Sequence, residues 1–219
     1  MQIDKQTLMD FPQRYRTQLI NSLSGFKSAN LIGSIDESGQ TNLSIVSSVV
    51  HLGAHPPLVG LVMRPNTVPR HTFENIKNTG CYTINQVSQS FWQQAHQTSA
   101  RYEKAQSEFA QVGLTAQFVD GIKAPFVLES RLKYSVKLRE IIHLAVNNTE
   151  FVIGEIEHVL VEPEAVRADG FIDLQALETV TVSGLDSYHR TERLSRLSYA
   201  KPDLMPSEIS LDGPTPSMK

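Results

Sequence analysis

The chain has 219 residues, a formal net charge of −3 and 40% hydrophobic residues, enough to bury a sizeable core without staples. Its basic residues are scattered, which disfavours a nucleic-acid partner, and its one cysteine, Cys81, excludes an intramolecular disulfide framework and fits a reducing compartment. No stretch approaches the ~20 apolar residues of a membrane span, and the polar N-terminus lacks the apolar core of a signal peptide, so a cytoplasmic protein without a membrane partner is expected.

Residues 1–25 read as a short helical or extended lead-in, with Pro12 limiting any helix to one side of it. Residues 31–35 alternate as a strand and end in the turn Asp36-Glu37-Ser38-Gly39. The β-branched content of 42–52 favours strand or irregular extended chain. His55-Pro56-Pro57 then forces an extended entry into a strand over 58–63. After a proline-bounded loop, 71–78 reads as a short helix stopped at Gly80, and 81–86 as a strand. The polar stretch 88–112 holds few apolar residues, no glycine and no proline, and predicts one surface helix.

Strand patterns return over 126–138 and 150–161, and Gly154 inside the second marks a bulge or a close backbone approach. A helical turn over 173–178 and a short strand over 179–182 follow. Residues 1–202 are expected to form a single domain, and the Pro-containing segment 203–219 an extended or disordered tail. Irregularly spaced strands with helices between only some of them predict a mainly β fold, an antiparallel barrel with inserted helices.

The chain contains no GxGxxG, no GK[ST] loop, no GxSxG and no HExxH, so Rossmann, P-loop, α/β-hydrolase and zincin chemistry have no local signal. His51 and His55 are separated by Gly53 and followed by two prolines, which makes a helical metal face unsupported, and no metal site is predicted. What remains is a constellation of hydroxyls, amides and cations. Asn42, Ser44, Ser47 and Ser48 offer small polar side chains that let a ligand approach the backbone. Arg64, Thr67, Arg70, His71 and Thr72 meet the start of the 71–78 helix, where free amides and the dipole favour an anion. The alternative is that the serines decorate a turn and the arginines form surface pairs. Cys81 reads as a small core residue, and His96, His143 and His158 as surface or strand histidines.

Several pieces in order resemble the flavin reductase-like, FMN-binding split-barrel family, including its flavoredoxin-type members. They are Gly39-Gln-Thr-Asn-Leu-Ser-Ile-Val-Ser-Ser48, His55-Pro-Pro-Leu-Val-Gly60, His71-Thr-Phe-Glu-Asn-Ile76, Thr79-Gly-Cys-Tyr-Thr-Ile-Asn85, Gly184-Leu-Asp-Ser-Tyr-His189 and Leu197-Ser-Tyr-Ala-Lys-Pro202. The resemblance implies a Greek-key split β-barrel working as a homodimer with FMN at the subunit interface. It implies that Asn42, Ser44, Ser47 and Ser48 line the flavin ring and ribityl chain. Arg64, Thr67, Arg70, His71 and Thr72 would hold the phosphate, and His189 would stand near the flavin or nicotinamide as the catalytic candidate. The 88–110 insertion, with Trp92 and Tyr102, departs from the family pattern and is read as a cover for the flavin face, with a dimer contact through Phe91 and Trp92 as the alternative. The implied function is an NAD(P)H-dependent FMN oxidoreductase passing electrons to free flavin or another acceptor. An FMN-binding electron carrier with little NAD(P)H turnover is the alternative, and a flavin-free barrel binding another anion a third.

Overall fold

The structure is a computed structural model that describes residues 1–65 and 68–214. Two helices lead in, α1 (Lys5–Asp10) and α2 (Gln13–Ser22). Asp4 caps α1 by accepting the Thr7 N–H at 2.8 Å, and Pro12 stands at the N-cap of α2. The lead-in is helical, and each helix stays on one side of Pro12, as the sequence implies.

The strands are β1 (Lys27–Ser28), β2 (Asn30–Ile35), β3 (Thr41–Val46), β4 (Val50–Ala54), β5 (Pro57–Met63) and β6 (Cys81–Gln86). They continue as β7 (Ala116–Val119), β8 (Ile122–Val127), β9 (Leu132–Leu144), β10 (Thr149–Val161), β11 (Thr181–Ser183) and β12 (Ser187–His189). A seven-stranded sheet runs β3-β2-β6-β9-β10-β5-β4, antiparallel throughout. Its two edge strands, β3 and β4, are consecutive in the chain and joined by residues 47–49 alone. Laid flat, such a sheet would hold its edges roughly 29 Å apart at ~4.8 Å per strand. The link spans at most about 14 Å. The sheet must curl until its edges approach each other, and among the described residues β3 and β4 stay unpaired across that seam. The mainly β barrel expected from the sequence is present, split at one seam.

Alternation along the strands supplies two cores. Ile32, Leu61, Tyr82, Ile84, Val136 and Val152 fill the barrel interior, closed at one end by Phe73 and Ile76 of α3 (His71–Thr79). Gly80, at φ +71°, ends that helix as the sequence predicts. Gly154 also behaves as expected: the β9–β10 register shifts beside it, and a Cβ there would press on Val136 Cγ1 and come 2.6 Å from the Tyr82 hydroxyl. The predicted strand over 126–138 is interrupted by a turn between β8 and β9.

The 88–112 stretch corrects the expectation of one surface helix. It forms α4 (Trp92–Gln97) and α5 (Glu108–Val112), with non-helical chain over 98–107. Phe91, Ala95 and Phe109 are buried in the second core with Leu31, Leu43 and Val127, so both helices cover the outer face of β2 and β3. The 98–107 segment has no apolar stripe at helical spacing to bury, and the Thr98 hydroxyl turns back to the Ala95 carbonyl at 2.8 Å. At the C-terminus β13 (Arg196–Leu197) pairs with β14 (Glu208–Ile209). Among the described residues no helix is long and apolar enough to cross a membrane.

Candidate functional site

A cavity of about 960 Å³ opens beside the barrel seam. Asn42 and Ser44 of β3, Ser47 and Ser48 of the link, Arg64 after β5, and Arg70, His71 and Thr72 at the head of α3 all line it. The sequence-predicted cluster is thus brought to one place, save Thr67, which lies outside the described residues.

Thr72 is the hub. Buried Asn42 donates Nδ2 to Thr72 Oγ1 at 2.8 Å, and Ser44 Oγ lies 2.8 Å from the same oxygen. The Ser44 and Thr72 hydroxyls share one proton between them, which leaves one O–H free to donate elsewhere. Ser48 differs from the other serines. Its hydroxyl donates to the Val62 carbonyl at 3.0 Å and accepts the Val62 N–H at 3.2 Å, stitching the link onto β5.

The arginines line the cavity without acidic partners. Among the described residues no carboxylate forms a salt bridge with Arg64, Arg70 or Arg101, and the Arg70 Nε is buried with no hydrogen-bond acceptor. Burial pulls the Arg70 guanidinium below its ordinary range, and the charges of Arg64 and Arg101 add to this. The Arg70 side chain also leaves the head of α3 uncapped, so its first N–H groups have no side-chain partner. The unpaired Arg64 and Arg70 guanidiniums beside the free amides of α3 form a receptor for a phosphate-like anion. Glu108 is the buried acid on this wall. Its Oε2 accepts the Leu43 N–H at 2.9 Å, and burial raises its carboxyl above the usual range.

Within one protomer His189 lies outside the cavity lining. Its Nε2 lies 2.8 Å from Ser183 Oγ and 3.2 Å from Ser187 Oγ, and its ring packs edge-on against Phe26 at 4.8 Å. It is absent from the cavity wall, and its neighbour Tyr188 is present. Adjacent residues on a strand face opposite ways, so Tyr188 looks inward and His189 away. His96, read as a surface histidine, lines the cavity too, its Nδ1 3.0 Å from the Tyr188 hydroxyl. Burial and the Asp186 charge push that phenol up to about 12. Trp92 packs on the Tyr188 ring at 5.3 Å, whereas Tyr102 lines the cavity directly. Tyr102 is expected near the flavin face, whereas Arg101 and the rest of the 98–103 wall have no local signal in the sequence.

The flavin reductase like domain model matches residues 24–175. The chain belongs to the flavin reductase-like family. It is 62% identical to a protein of Shewanella frigidimarina NCIMB 400 described as a flavin reductase with a split barrel domain, covering 91% of this chain and all of that one, with a TM-score of 0.89. Nitrilotriacetate monooxygenase component B from Bacillus cereus shares the fold at 17% identity and a TM-score of 0.79, covering 90% of this chain and 98% of that one. Flavoredoxin of Desulfovibrio vulgaris (Miyazaki F) does so at 23% and 0.67, covering 82% and 92%. The split-barrel fold and a flavin-related oxidoreductase activity follow from that membership. The unpaired Arg70 Nε, the uncapped helix and the free hydroxyl proton suit a flavin carrying a phosphate.

Proposed function

We propose that the chain is an FMN-dependent oxidoreductase that takes electrons from NAD(P)H and passes them to free flavin or another small acceptor. The observation that carries this reading is the buried, unpartnered Arg70 Nε at the head of α3, beside Arg64 in the cavity. Arg64, Arg70 and the first amides of α3 hold the phosphate. The free proton of the Ser44–Thr72 pair is available to the ribityl hydroxyls, and Asn42 holds Thr72 in place. Bound FMN supplies hydride acceptance and electron transfer. The chain binds and orients it, and the 98–103 wall with Tyr102 and Tyr188 keeps water from one side of the cavity.

The proposed unit is a homodimer with FMN at its interface. The register places Val50, Val62, Ile142 and Leu144 on the sheet face opposite Leu61 and Val152. All four are exposed although apolar, which marks an interaction surface. Val62 also lines the cavity, so a second copy on this face would border the ligand. His189, facing away from its own cavity, acts in this reading only if that second copy brings it to the ligand. The proposed domain is 1–202, with 203–219 as tail, and the proposed compartment is the cytoplasm, where the one cysteine stays reduced.

Anaerobic addition of NADH, then NADPH, to the FMN-loaded chain tests the reading. Rapid bleaching of the flavin band is expected. A flavin that binds but stays oxidised with both nucleotides would reject NAD(P)H as donor and leave an electron carrier.

A further inference from the structure

The cavity holds one cation more than a single phosphate calls for. Arg64 and Arg70 come from adjoining elements, the end of β5 and the head of α3. Arg101 enters from a separate element, the 98–107 segment, and lines the same cavity. That segment is fixed to the barrel rather than free. At one end Thr98 bonds back to Ala95. At the other, Ser107 Oγ lies 2.7 Å from Thr41 Oγ1, and Glu108 accepts the Leu43 N–H at 2.9 Å. Between them, Gln97 Nε2 donates to the Tyr102 hydroxyl at 3.1 Å, and the Glu103 N–H is held by Gln106 at 3.1 Å. The Ser107 and Glu108 contacts tie its far end to β3, the barrel edge that carries Asn42 and Ser44, and the others hold the segment's own shape.

Arg101 is exposed and, among the described residues, in no salt bridge, although Glu103 lies two positions away and lines the cavity with it. Its charge acts on Arg70, so the two guanidiniums repel until an anion separates them. The cavity, at about 960 Å³, is near the top of the roughly 300–1,000 Å³ span of small-molecule sites, with room for part of a second ligand.

We propose that Arg101 forms a second phosphate subsite, which takes phosphate groups of the nicotinamide dinucleotide while Arg64 and Arg70 hold that of the flavin. This rests on the reading of NAD(P)H as electron donor. The 98–107 segment then orients the donor, and its one guanidinium matches a phosphate through paired N–H donors.

The test compares the wild-type chain with Arg101→Gln and Arg101→Lys. FMN affinity is read by quenching of flavin fluorescence, and NAD⁺ and NADP⁺ affinities by calorimetry on the FMN-loaded proteins. Arg101→Gln should leave the FMN Kd within about twofold, which also shows that the variant is folded, and weaken nucleotide binding by about 10- to 100-fold. Arg101→Lys should recover part of that loss. Weakening of both nucleotides assigns the subsite to the pyrophosphate, and of NADP⁺ alone to the 2′-phosphate; either supports the proposal. Unchanged nucleotide affinity, or an FMN affinity that falls by the same factor, overturns it. Wild-type protein that is neither bleached nor bound by either nucleotide would instead remove the donor reading itself, and the subsite with it.

Discussion

Replacing Arg70 by alanine isolates the phosphate contact, because two ligands that differ only by that group can be compared on one protein. A charge-assisted hydrogen bond is worth about 1.5–3 kcal/mol. At roughly 1.4 kcal/mol per tenfold, Arg70→Ala should weaken FMN about 10- to 150-fold. Riboflavin lacks the phosphate and should lose less than about twofold on the same scale. The ligand-free chain should not suffer. Arg70 has a buried Nε with no acceptor and stands near the charges of Arg64 and Arg101, so its removal relieves an unfavourable arrangement and should change stability by less than about 0.5 kcal/mol. Titration of apoprotein with each flavin, followed by fluorescence, gives the two ratios, and urea unfolding gives the stability. Equal weakening of FMN and riboflavin, or an unchanged FMN affinity, would refute the assignment of Arg70 to phosphate.

Thr72→Val removes the hub that serves Asn42 and Ser44 at 2.8 Å each. Two neutral hydrogen bonds at ~0.5–1.5 kcal/mol apiece give a loss of about 1–3 kcal/mol, seen as a lower urea midpoint at unchanged slope, with Thr72→Ser recovering most of it. Gly154→Ala would push a Cβ onto Val136 and the Tyr82 hydroxyl, and thermal unfolding should show an overpacking cost of about 1–3 kcal/mol. Asp173 is buried, and burial pushes its carboxyl up. Hydrogen bonds from Arg167 at 2.9 Å and Arg193 at 2.8 Å more than offset this and hold it below its ordinary value of 3.8. Its contribution is therefore present above about pH 4 and lost as pH falls through the lower folded value. Asp173→Asn should cost about 1–3 kcal/mol at pH 7, with the gap to wild type closing in unfolding curves taken below pH 4.

The barrel was legible where local chemistry and packing agree. The strand 81–86 and the α3 helix with its stop at Gly80 fall where the sequence places them, because Gly at positive φ and alternating apolar residues leave few other solutions. The seam is a different matter. Nothing local says that residues 47–49 join opposite edges of one sheet; that follows only from the strand order. The 88–112 stretch misled because absence of Gly and Pro was read as helix. Its buried apolar residues, Phe91, Ala95 and Phe109, leave no apolar anchor between 95 and 109 to bury a continuous helix, and they anchor two short helices instead. With that segment taken as helix, Tyr102 is expected at the flavin face but Arg101 has no place in the cavity. For His189 the resemblance supplied a neighbourhood, and the facing of the strand decided that Tyr188, not His189, looks into the cavity of its own chain.

The measurement that bears most directly on the account is a crystal structure of the chain with FMN bound. Phosphate oxygens are expected about 2.7–3.2 Å from the Arg70 guanidinium and from the first amides of α3, with the ribityl chain passing Ser44 and Thr72. FMN bound elsewhere on the barrel, or seated in the cavity with its phosphate turned away from Arg64 and Arg70, would contradict it.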